Sequence, residues 1–298
     1  MPIAQDAERV VRTLQNKSRN LLALALVSAV TVAGISVAHS AQRSYQRIIS
    51  LSPSGTENLF AMGAGKQVIA VSSDSNFPSS APVTSLDAFT PNIESIAALK
   101  PDLVILNSGA TKAASVRAGL EKLKIDVYME NAPTNLSGAY KEIMDLGHLT
   151  GNTAGAYKTV TLMKSKISKA LAVGHRIKNV TFFHELDNTY YSITSNTFIG
   201  SVYKSFGFTN IADAAATADS YGYPQLTPEY IIKANPDYIF LSDAQYGESL
   251  STVSKRSGWT NTKAVSRKQV IALPDDISSR WGPRLADFYT FIASVVKK

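Results

Sequence analysis

The amino-acid sequence predicts an α/β fold with two similar lobes, each built on a parallel-rich sheet, joined by one long connecting helix. Three observations lead to this prediction. Thr90–Asn107, TPNIESIAALKPDLVILN, is closely matched by Leu226–Ser242, LTPEYIIKANPDYIFLS. Strand-like and helix-like segments alternate around both copies, as in parallel sheets covered by helices. A long amphipathic stretch lies between the copies and contains no strand-like segment.

The repeated unit has a simple physical basis. In each copy a Thr-Pro pair leads to a glutamate, Glu94 or Glu229, that begins a short helical turn. Proline fixes φ near a helix start, and an acidic residue in the first turn suits the helix dipole. Pro101-Asp102 and Pro236-Asp237 then end the turn, and the β-forming residues that follow predict a buried strand.

The first lobe is predicted over residues 46–150. Its predicted strands are Arg47–Ser52, Val68–Ser72, Leu103–Leu106 and Val127–Glu130. Its predicted helices are Glu57–Met62, the turn at Glu94, Thr111–Leu123 and Asn135–Leu149. Residues 151–177 form the predicted connecting helix, since Ala156, Val160, Met163 and Ile167 recur at helical spacing.

The second lobe is predicted over residues 178–298. Its predicted strands are Asn179–Leu186, Tyr190–Thr194, Tyr238–Leu241 and Val270–Leu273. Its predicted helices are Asn196–Phe206, the turn at Glu229 and Leu285–Val296. Asp243–Gly258 is polar and is predicted to be irregular and mobile.

Residues 1–40 have the order of a secretory signal. Four basic residues precede the uncharged run Leu21–Ala38, and Ala38-His39-Ser40 offers small residues for cleavage before Ala41. The run is also long enough to span a bilayer, so an uncleaved N-terminal anchor is the alternative. Either way we expect an exported protein, periplasmic or at the cell surface.

Composition excludes several classes of site. After residues 1–40 are removed, 26 basic and 21 acidic residues remain, and the basic ones are scattered, which argues against a nucleic-acid partner. The chain has no cysteine, so disulfides, zinc–thiolate sites, thiol catalysis and lipid attachment through a cysteine are excluded.

The sequence contains no pattern of a catalytic site. G-x-S-x-G, H-E-x-x-H and G-x-G-x-x-G are all absent. Of the four histidines, only His184 is predicted to lie at the end of a strand and to face a cleft. One such histidine does not make a metal site, which needs several converging ligands. Aromatic residues accompanied by Ser, Asn and Arg instead mark the loops at strand ends, and they suit a bulky, partly apolar ligand.

The mature chain resembles the substrate-binding proteins of ABC importers that take up metal chelates: iron–siderophores, haem and vitamin B12. The resemblance covers about residues 46–297. It is carried by RIISLSPSGTENLFAMGAG (47–65), NIESIAALKPDLVIL (92–106), the connecting helix, GYPQLTPEYIIKANPDYIFLS (222–242) and SRWGPRLADF (279–288).

The resemblance implies a non-enzymatic protein without a cofactor that clasps a cobalt- or iron-containing chelate in a shallow cleft between its lobes. It also implies an ABC permease, with its ATPase, as partner; we expect a monomer. In this family one glutamate at the top of each lobe pairs with permease arginines, and the matching positions are Glu94 and Glu229.

The candidate ligand-binding residues come from strand-end loops and from the resemblance together. They are Ser52, Pro53, Ser54, Asp74, Phe77, Phe89, Ser108, His184, Asn196, Tyr223, Arg280 and Trp281.

The identity of the ligand stays open at this point. Vitamin B12 binders of the family line the cleft with tryptophan, whereas Asp74, Ala88 and Asn107 occupy the corresponding places here and only Tyr223 keeps an aromatic ring. Arginines at 280 and 284 would suit an anionic siderophore. Two other classes also remain: a binder of bare divalent metal ions, and an enzyme or sensor on the same bilobed fold.

Overall fold

The strands form two sheets of equivalent topology in the computed structural model, which describes residues 44–174, residue 177 and residues 179–296. The first sheet contains β1 (Ile48–Leu51), β2 (Val68–Val71), β3 (Leu103–Asn107) and β4 (Asp126–Glu130). The second contains β5 (Thr181–Glu185), β6 (Thr209–Asn210), β7 (Tyr238–Leu241) and β8 (Val270–Ala272). The orders are β2-β1-β3-β4 and β6-β5-β7-β8, and every pairing between these strands is parallel. The repeated sequence therefore corresponds to a repeated topology, and the predicted fold class is confirmed.

Helices connect the strands and cover the sheets. Those of the first lobe are α1 (Pro53–Ala61), α2 (Ile93–Ala98), α3 (Ala113–Lys122) and α4 (Leu136–Thr150). The connecting helix is α5 (Thr153–Gly174). Those of the second lobe are α6 (Phe198–Phe206), α7 (Pro228–Ala234), α8 (Leu250–Ser254), α9 (Lys263–Ser266), α10 (Asp275–Ser278) and α11 (Leu285–Val296). Short 3-10 helices lie at Gly65–Gln67, Ile211–Ala215, Ala218–Ser220, Ala244–Tyr246 and Trp259–Asn261.

One hydrophobic cluster extends through both lobes. Side chains alternate across each strand, so Ile48 and Phe182 enter this shared cluster while Ile49 and Phe183 enter separate clusters on the opposite faces. Helix α5 buries its aliphatic stripe in the shared cluster and packs against α4 and α11. The connecting helix therefore packs into a hydrophobic core that contains residues of both sheets.

The Pro-Asp step of the repeat fastens the first strand of each sheet. The carboxylate of Asp102 accepts hydrogen bonds from the backbone N–H groups of Gln46 and Arg47, both at 2.8 Å, just before β1. The carboxylate of Asp237 accepts from the backbone N–H and the hydroxyl of Thr181, both at 3.0 Å, where β5 begins. Burial opposes ionisation of Asp237, but the hydrogen bonds from Thr181 and the nearby basic residues lower its pKa.

Two predictions about the second lobe were wrong. Residues 190–194 do not form a strand: Tyr190 has φ +70°, outside the extended region, and only an isolated bridge joins Tyr191 to Gln225. Residues 243–258, predicted to be irregular, contain a 3-10 helix and α8, whose capping box is formed by Ser249 and Thr252. The predicted signal or anchor, residues 1–40, lies outside the described residues.

We expect Asp237→Asn to destabilise the protein by about 1–3 kcal/mol at pH 7, since charge-assisted hydrogen bonds are lost at the start of β5. Because the folded-state pKa of Asp237 is lowered, the wild type gains this stability above the unfolded-state pKa and loses it as pH falls through the folded value. Urea unfolding at a series of pH values measures the difference, which should shrink below about pH 4. Asp219→Asn, at an exposed position, is the control. Equal stabilities at pH 7 would contradict this role.

Candidate functional site

A cavity of about 520 Å³ lies between loops of the two lobes. Residues 132–134, which follow β4, form one side, and loops that follow β5, β6 and β8 form the other. Aromatic rings come from Phe198, Tyr221, Tyr223 and Trp281, and hydroxyl or amide groups come from Thr134, Thr194, Asn196, Thr197, Thr217, Ser220 and Ser279. Ligands of parallel α/β sheets bind beyond the carboxyl ends of the strands, and the cavity occupies such a position.

Three of the predicted site residues, Asn196, Tyr223 and Trp281, line this cavity. Backbone hydrogen bonds fix the loop that carries Tyr223: Thr194 N–H donates to the Gly222 carbonyl at 2.8 Å, and Tyr223 N–H donates to the Ser220 carbonyl at 2.7 Å. Tyr223 remains 49% exposed, so its ring is available to a ligand. The structure thus groups these residues, which are distant in sequence, on one surface.

The predicted Ser52–Ser54 loop lies behind the cavity rather than on its surface. Ser52 caps α1 by accepting a hydrogen bond from the Gly55 N–H at 3.2 Å, and Pro53 is the first residue of the helix. Ser54 is buried, and its hydroxyl accepts the backbone N–H of Trp281 at 3.3 Å. The two hydroxyls therefore support the helix and Trp281, because both are buried and already engaged.

Glu57 on α1 binds two arginines from the segment before α11. Its buried carboxylate accepts hydrogen bonds from Arg284 Nε at 3.0 Å, Arg284 Nη2 at 2.6 Å and Arg280 Nη1 at 3.2 Å. Gly282 allows the close approach, since a Cβ there would lie 3.0 Å from Glu57 Oε2. Helix α11 carries Phe288 and Tyr289, which pack against rings of α6, so this cluster joins the first lobe to the second.

Arg280 is not a free cation for an anionic ligand. Besides Glu57, it binds Asp276 at 2.8 Å, the side-chain oxygen of Asn76 at 2.7 Å and the backbone carbonyl of Asp74 at 3.2 Å. Its side chain is only 12% exposed. The predicted ligand role of Arg280 is therefore corrected to a structural one, since carboxylates of the protein already neutralise its charge.

Asp74 and Phe77 belong to a different part of the structure from the cavity. Phe77 lines a second cavity of about 280 Å³ together with Pro78, Phe60 and Pro283. The guanidinium of Arg284 lies 4.1 Å from the centroid of the Phe77 ring, a cation–π contact. Asp74 contributes its backbone carbonyl to Arg280, as described above.

Phe89 and Ser108 are exposed on the first lobe and are not among the residues that line the 520 Å³ cavity. Asp87 holds the turn that presents Phe89 by accepting hydrogen bonds from the backbone N–H groups of Phe89 and Thr90, at 2.7 and 3.0 Å. The hydrogen bonds that Asp87 accepts from Thr90 and, to a smaller extent, from Phe89 lower the pKa of Asp87. Phe89 is 67% exposed, so a role in binding a large ligand at the rim stays a prediction.

His184 does not face the cleft, and this prediction was wrong. Its side chain is fully buried, with Nδ1 3.1 Å from the Tyr203 hydroxyl and Nε2 2.8 Å from the Ser242 hydroxyl. Burial lowers the pKa of His184 to about 3, so the imidazole is neutral. The residue is a core histidine with both ring nitrogens engaged, because strand alternation directs it into the shared core instead of towards the loops.

Sequence reasoning missed three groups of buried charges. Besides Glu57, two glutamates, Glu130 and Glu142, adjoin each other under the cavity. In the second lobe, Glu185 binds Arg256 through two contacts of 2.5 and 2.6 Å, and Arg256 also lies over the ring of Trp259. Burial raises the pKa of Glu185 to about 7, although Arg256 opposes the shift. The partners of Glu185 and Glu57 lie 71 and more than 200 residues away along the chain, so the sequence around each glutamate does not indicate them.

Nothing in the described part of the chain favours a bare-metal site. Within residues 44–174 and 179–296, no group of three or more His, Asp or Glu side chains could hold a metal ion. None of the helices in these ranges is long and apolar enough to cross a membrane.

The family model for periplasmic binding proteins matches residues 48–277, most of the chain. The chain belongs to the periplasmic binding protein family. This periplasmic binding protein is 30% identical to an uncharacterized ABC transporter substrate-binding lipoprotein of Bacillus subtilis, over 81% of this chain and 77% of the relative. It is 27% identical to a cobalamin-binding protein of Halobacterium salinarum, over 81% of this chain and 67% of the relative.

The fold agrees with solved structures of periplasmic binding proteins. The periplasmic vitamin B12 binding protein of Vibrio cholerae matches with a TM-score of 0.71 and 25% identity, covering 85% of this chain and 97% of that one. Periplasmic binding proteins of this kind are non-enzymatic, and the chain is the substrate-binding component of an ABC importer, with a permease and its ATPase as partners. The relative from Bacillus subtilis is named a lipoprotein.

Proposed function

We propose that this periplasmic binding protein captures a corrinoid, a cobalt chelate of the cobalamin class, and delivers it to its permease. The observation that carries the proposal is the chemistry of the 520 Å³ cavity. None of the described residues that line it is charged; they supply aromatic rings, hydroxyls, one side-chain amide and small or aliphatic side chains. A corrin macrocycle has broad apolar faces and a rim of neutral amides, so such a lining can stack on the faces and hydrogen-bond to the rim.

The same lining argues against strongly anionic chelates. Carboxylate-rich siderophores and the propionates of haem are best bound by arginine or lysine. Arg280 and Arg284, the arginines closest in sequence to Trp281, are bound to Glu57 and Asp276. Binding an anion there would require breaking buried ion pairs, which typically costs several kcal/mol. Relatives named as cobalamin-binding and vitamin B12-binding proteins support the same choice.

Glu94 and Glu229 are proposed as the permease contacts. They occupy the first turns of α2 and α7, the equivalent helices of the two lobes, and both are exposed. Within the described residues, neither takes part in an ion pair, whereas other surface carboxylates such as Glu121 do. Each carboxylate is therefore available to an arginine of the permease, in matching positions on the two lobes.

Cyanocobalamin should bind with a Kd below about 10 μM in isothermal titration calorimetry. Tyr223→Ala and Trp281→Ala should each weaken binding about tenfold, since each removes a ring of the cavity wall. Tyr246→Ala, a change at a tyrosine that is 83% exposed and does not line the cavity, is the matched control. Haem and a ferric carboxylate siderophore are titrated in parallel. Tighter binding of either anionic chelate than of cyanocobalamin would refute the proposed ligand class.

Charge reversal at the two glutamates, Glu94→Lys with Glu229→Lys, should abolish cobalamin uptake in cells that carry the cognate importer. Affinity for cyanocobalamin in solution should stay within about twofold of wild type, because neither residue lines the cavity. Glu121→Lys, an exposed change on α3, serves as the control and should leave uptake intact. Loss of ligand affinity in the double variant, or normal uptake by it, would contradict a docking role.

A further inference from the structure

Glu130 and Glu142 place two carboxyl groups next to each other beneath the cavity floor. Glu130 is the last residue of β4, immediately before the loop whose residues 132–134 line the cavity, and Glu142 lies on α4. Their exposed fractions are 0% and 6%. Gly55 on α1 makes room for this arrangement, since a Cβ there would lie 3.0 Å from Glu130 Oε1.

The charged groups of the surrounding elements do not neutralise the pair. Within the described residues, no ion pair includes Glu130 or Glu142, and Arg280 and Arg284 are bound to Glu57 and Asp276.

The titratable side chains next to the pair are acidic or already paired. Tyr128 on β4 interacts with both glutamates, and Asp145 on α4 is paired with Lys141 at 2.5 Å. Burial, together with the neighbouring carboxyl groups, raises the pKa of Tyr128. Among the described residues, no basic side chain forms an ion pair with either carboxyl group.

Polar contacts to the pair are few. Asn58 Nδ2 donates to Glu142 Oε1 at 2.7 Å. Ser52 and the backbone N–H of Gly55 face Glu130, yet neither oxygen of Glu130 makes a hydrogen bond of ordinary geometry to the described residues. Two adjoining carboxyl groups with so little compensation in a low-dielectric interior cannot both ionise, so the pair retains at least one proton at neutral pH.

Trp281 connects the pair to the cavity. Its indole Nε1–H approaches the carboxyl of Glu142 without reaching ordinary hydrogen-bond geometry, and its backbone N–H donates to Ser54. The ring itself lines the cavity. The only other tryptophan of the chain, Trp259, is buried in the second lobe.

We propose that Glu130 and Glu142 share a proton and that the resulting pair is a positioning device for Trp281 in the ligand cavity. A proton held between the two carboxyls leaves an oxygen of Glu142 free to accept from Asn58 and to attract the indole N–H. Loss of the proton would place two uncompensated negative charges behind the cavity floor. The inference concerns the protein without ligand, so it stands whichever chelate binds.

The expected consequence for stability follows from the direction of the shifts. Burial raises the pKa of Glu130, and burial together with Glu130 raises the pKa of Glu142 well above its ordinary value. The folded state therefore binds more protons than the unfolded state above the ordinary glutamate pKa, and its stability falls as pH rises. One extra bound proton makes the unfolding equilibrium constant rise about tenfold per pH unit.

Infrared difference spectroscopy tests the shared proton directly. At neutral pH the wild-type spectrum minus that of Glu130→Gln/Glu142→Gln should show the C=O stretch of a protonated carboxyl, which ionised carboxylates lack. The difference is needed because burial also raises the pKa of Glu185 to about 7. Asp145→Asn, one turn along α4, is the matched control and should leave the band in place. Absence of the band from the difference between the wild type and this double variant would overturn the proposal.

Fluorine NMR of protein labelled with 5-fluorotryptophan tests the effect on Trp281. The two signals are assigned with Trp281→Phe, and the Trp281 signal should shift or broaden in Glu142→Leu but not in Asp145→Asn. An unchanged Trp281 signal in Glu142→Leu would overturn the positioning role.

Urea unfolding provides a readout that does not need the leucine variant to fold. Between about pH 6 and about pH 9, the unfolding constant of the wild type should rise about tenfold more per pH unit than that of Glu130→Gln/Glu142→Gln. Equal slopes would overturn the shared proton.

Discussion

The buried carboxylate of Glu57 is the contact on which the relation between the two lobes depends. It belongs to α1 of the first lobe and binds Arg280 and Arg284, which lie between β8 and α11 of the second. Removing one partner of a buried ion pair typically costs about 3–5 kcal/mol, because the other charge stays behind without compensation. We expect this contact, together with the hydrophobic cluster that includes residues of both sheets, to hold the two cavity walls in fixed relative positions before a ligand binds.

The same contact decides the chemistry of the cleft. Glu57 binds both arginines, which an anionic chelate would otherwise attract, and the described residues that line the cavity are aromatic, aliphatic or neutral polar. Trp281 follows Arg280 directly. The segment that contributes Arg280 and Arg284 to Glu57 therefore also contributes an aromatic ring to the cavity wall. One short segment before α11 therefore contributes both to the ion pairs with Glu57 and to the cavity wall.

The scaffold was predictable from the sequence because it depends on local patterns. The repeated Pro-Asp and apolar run marked β3 and β7, and helical spacing marked α5. The cavity was only partly predictable. Tyr223 and Trp281 lie in loops, where composition is informative, but His184 was misplaced because a strand end does not reveal which face a side chain takes. The roles of Glu57, Glu130 and Glu142 were not predicted, because only tertiary packing brings their partners close to them. Residues 190–194 have strand-like composition, yet the backbone turns at Tyr190.

The most direct test of a cavity held in place by Glu57 is the distance distribution between the lobes. Spin labels at Lys122→Cys on α3 and Lys233→Cys on α7 report it by electron–electron double resonance, and the native chain has no cysteine to interfere. With Glu57 present, a single narrow distribution should persist with and without cyanocobalamin, and Glu57→Gln should broaden it in the absence of ligand. If the distance distribution of Glu57→Gln is as narrow as that of the protein with Glu57, this role of Glu57 is contradicted.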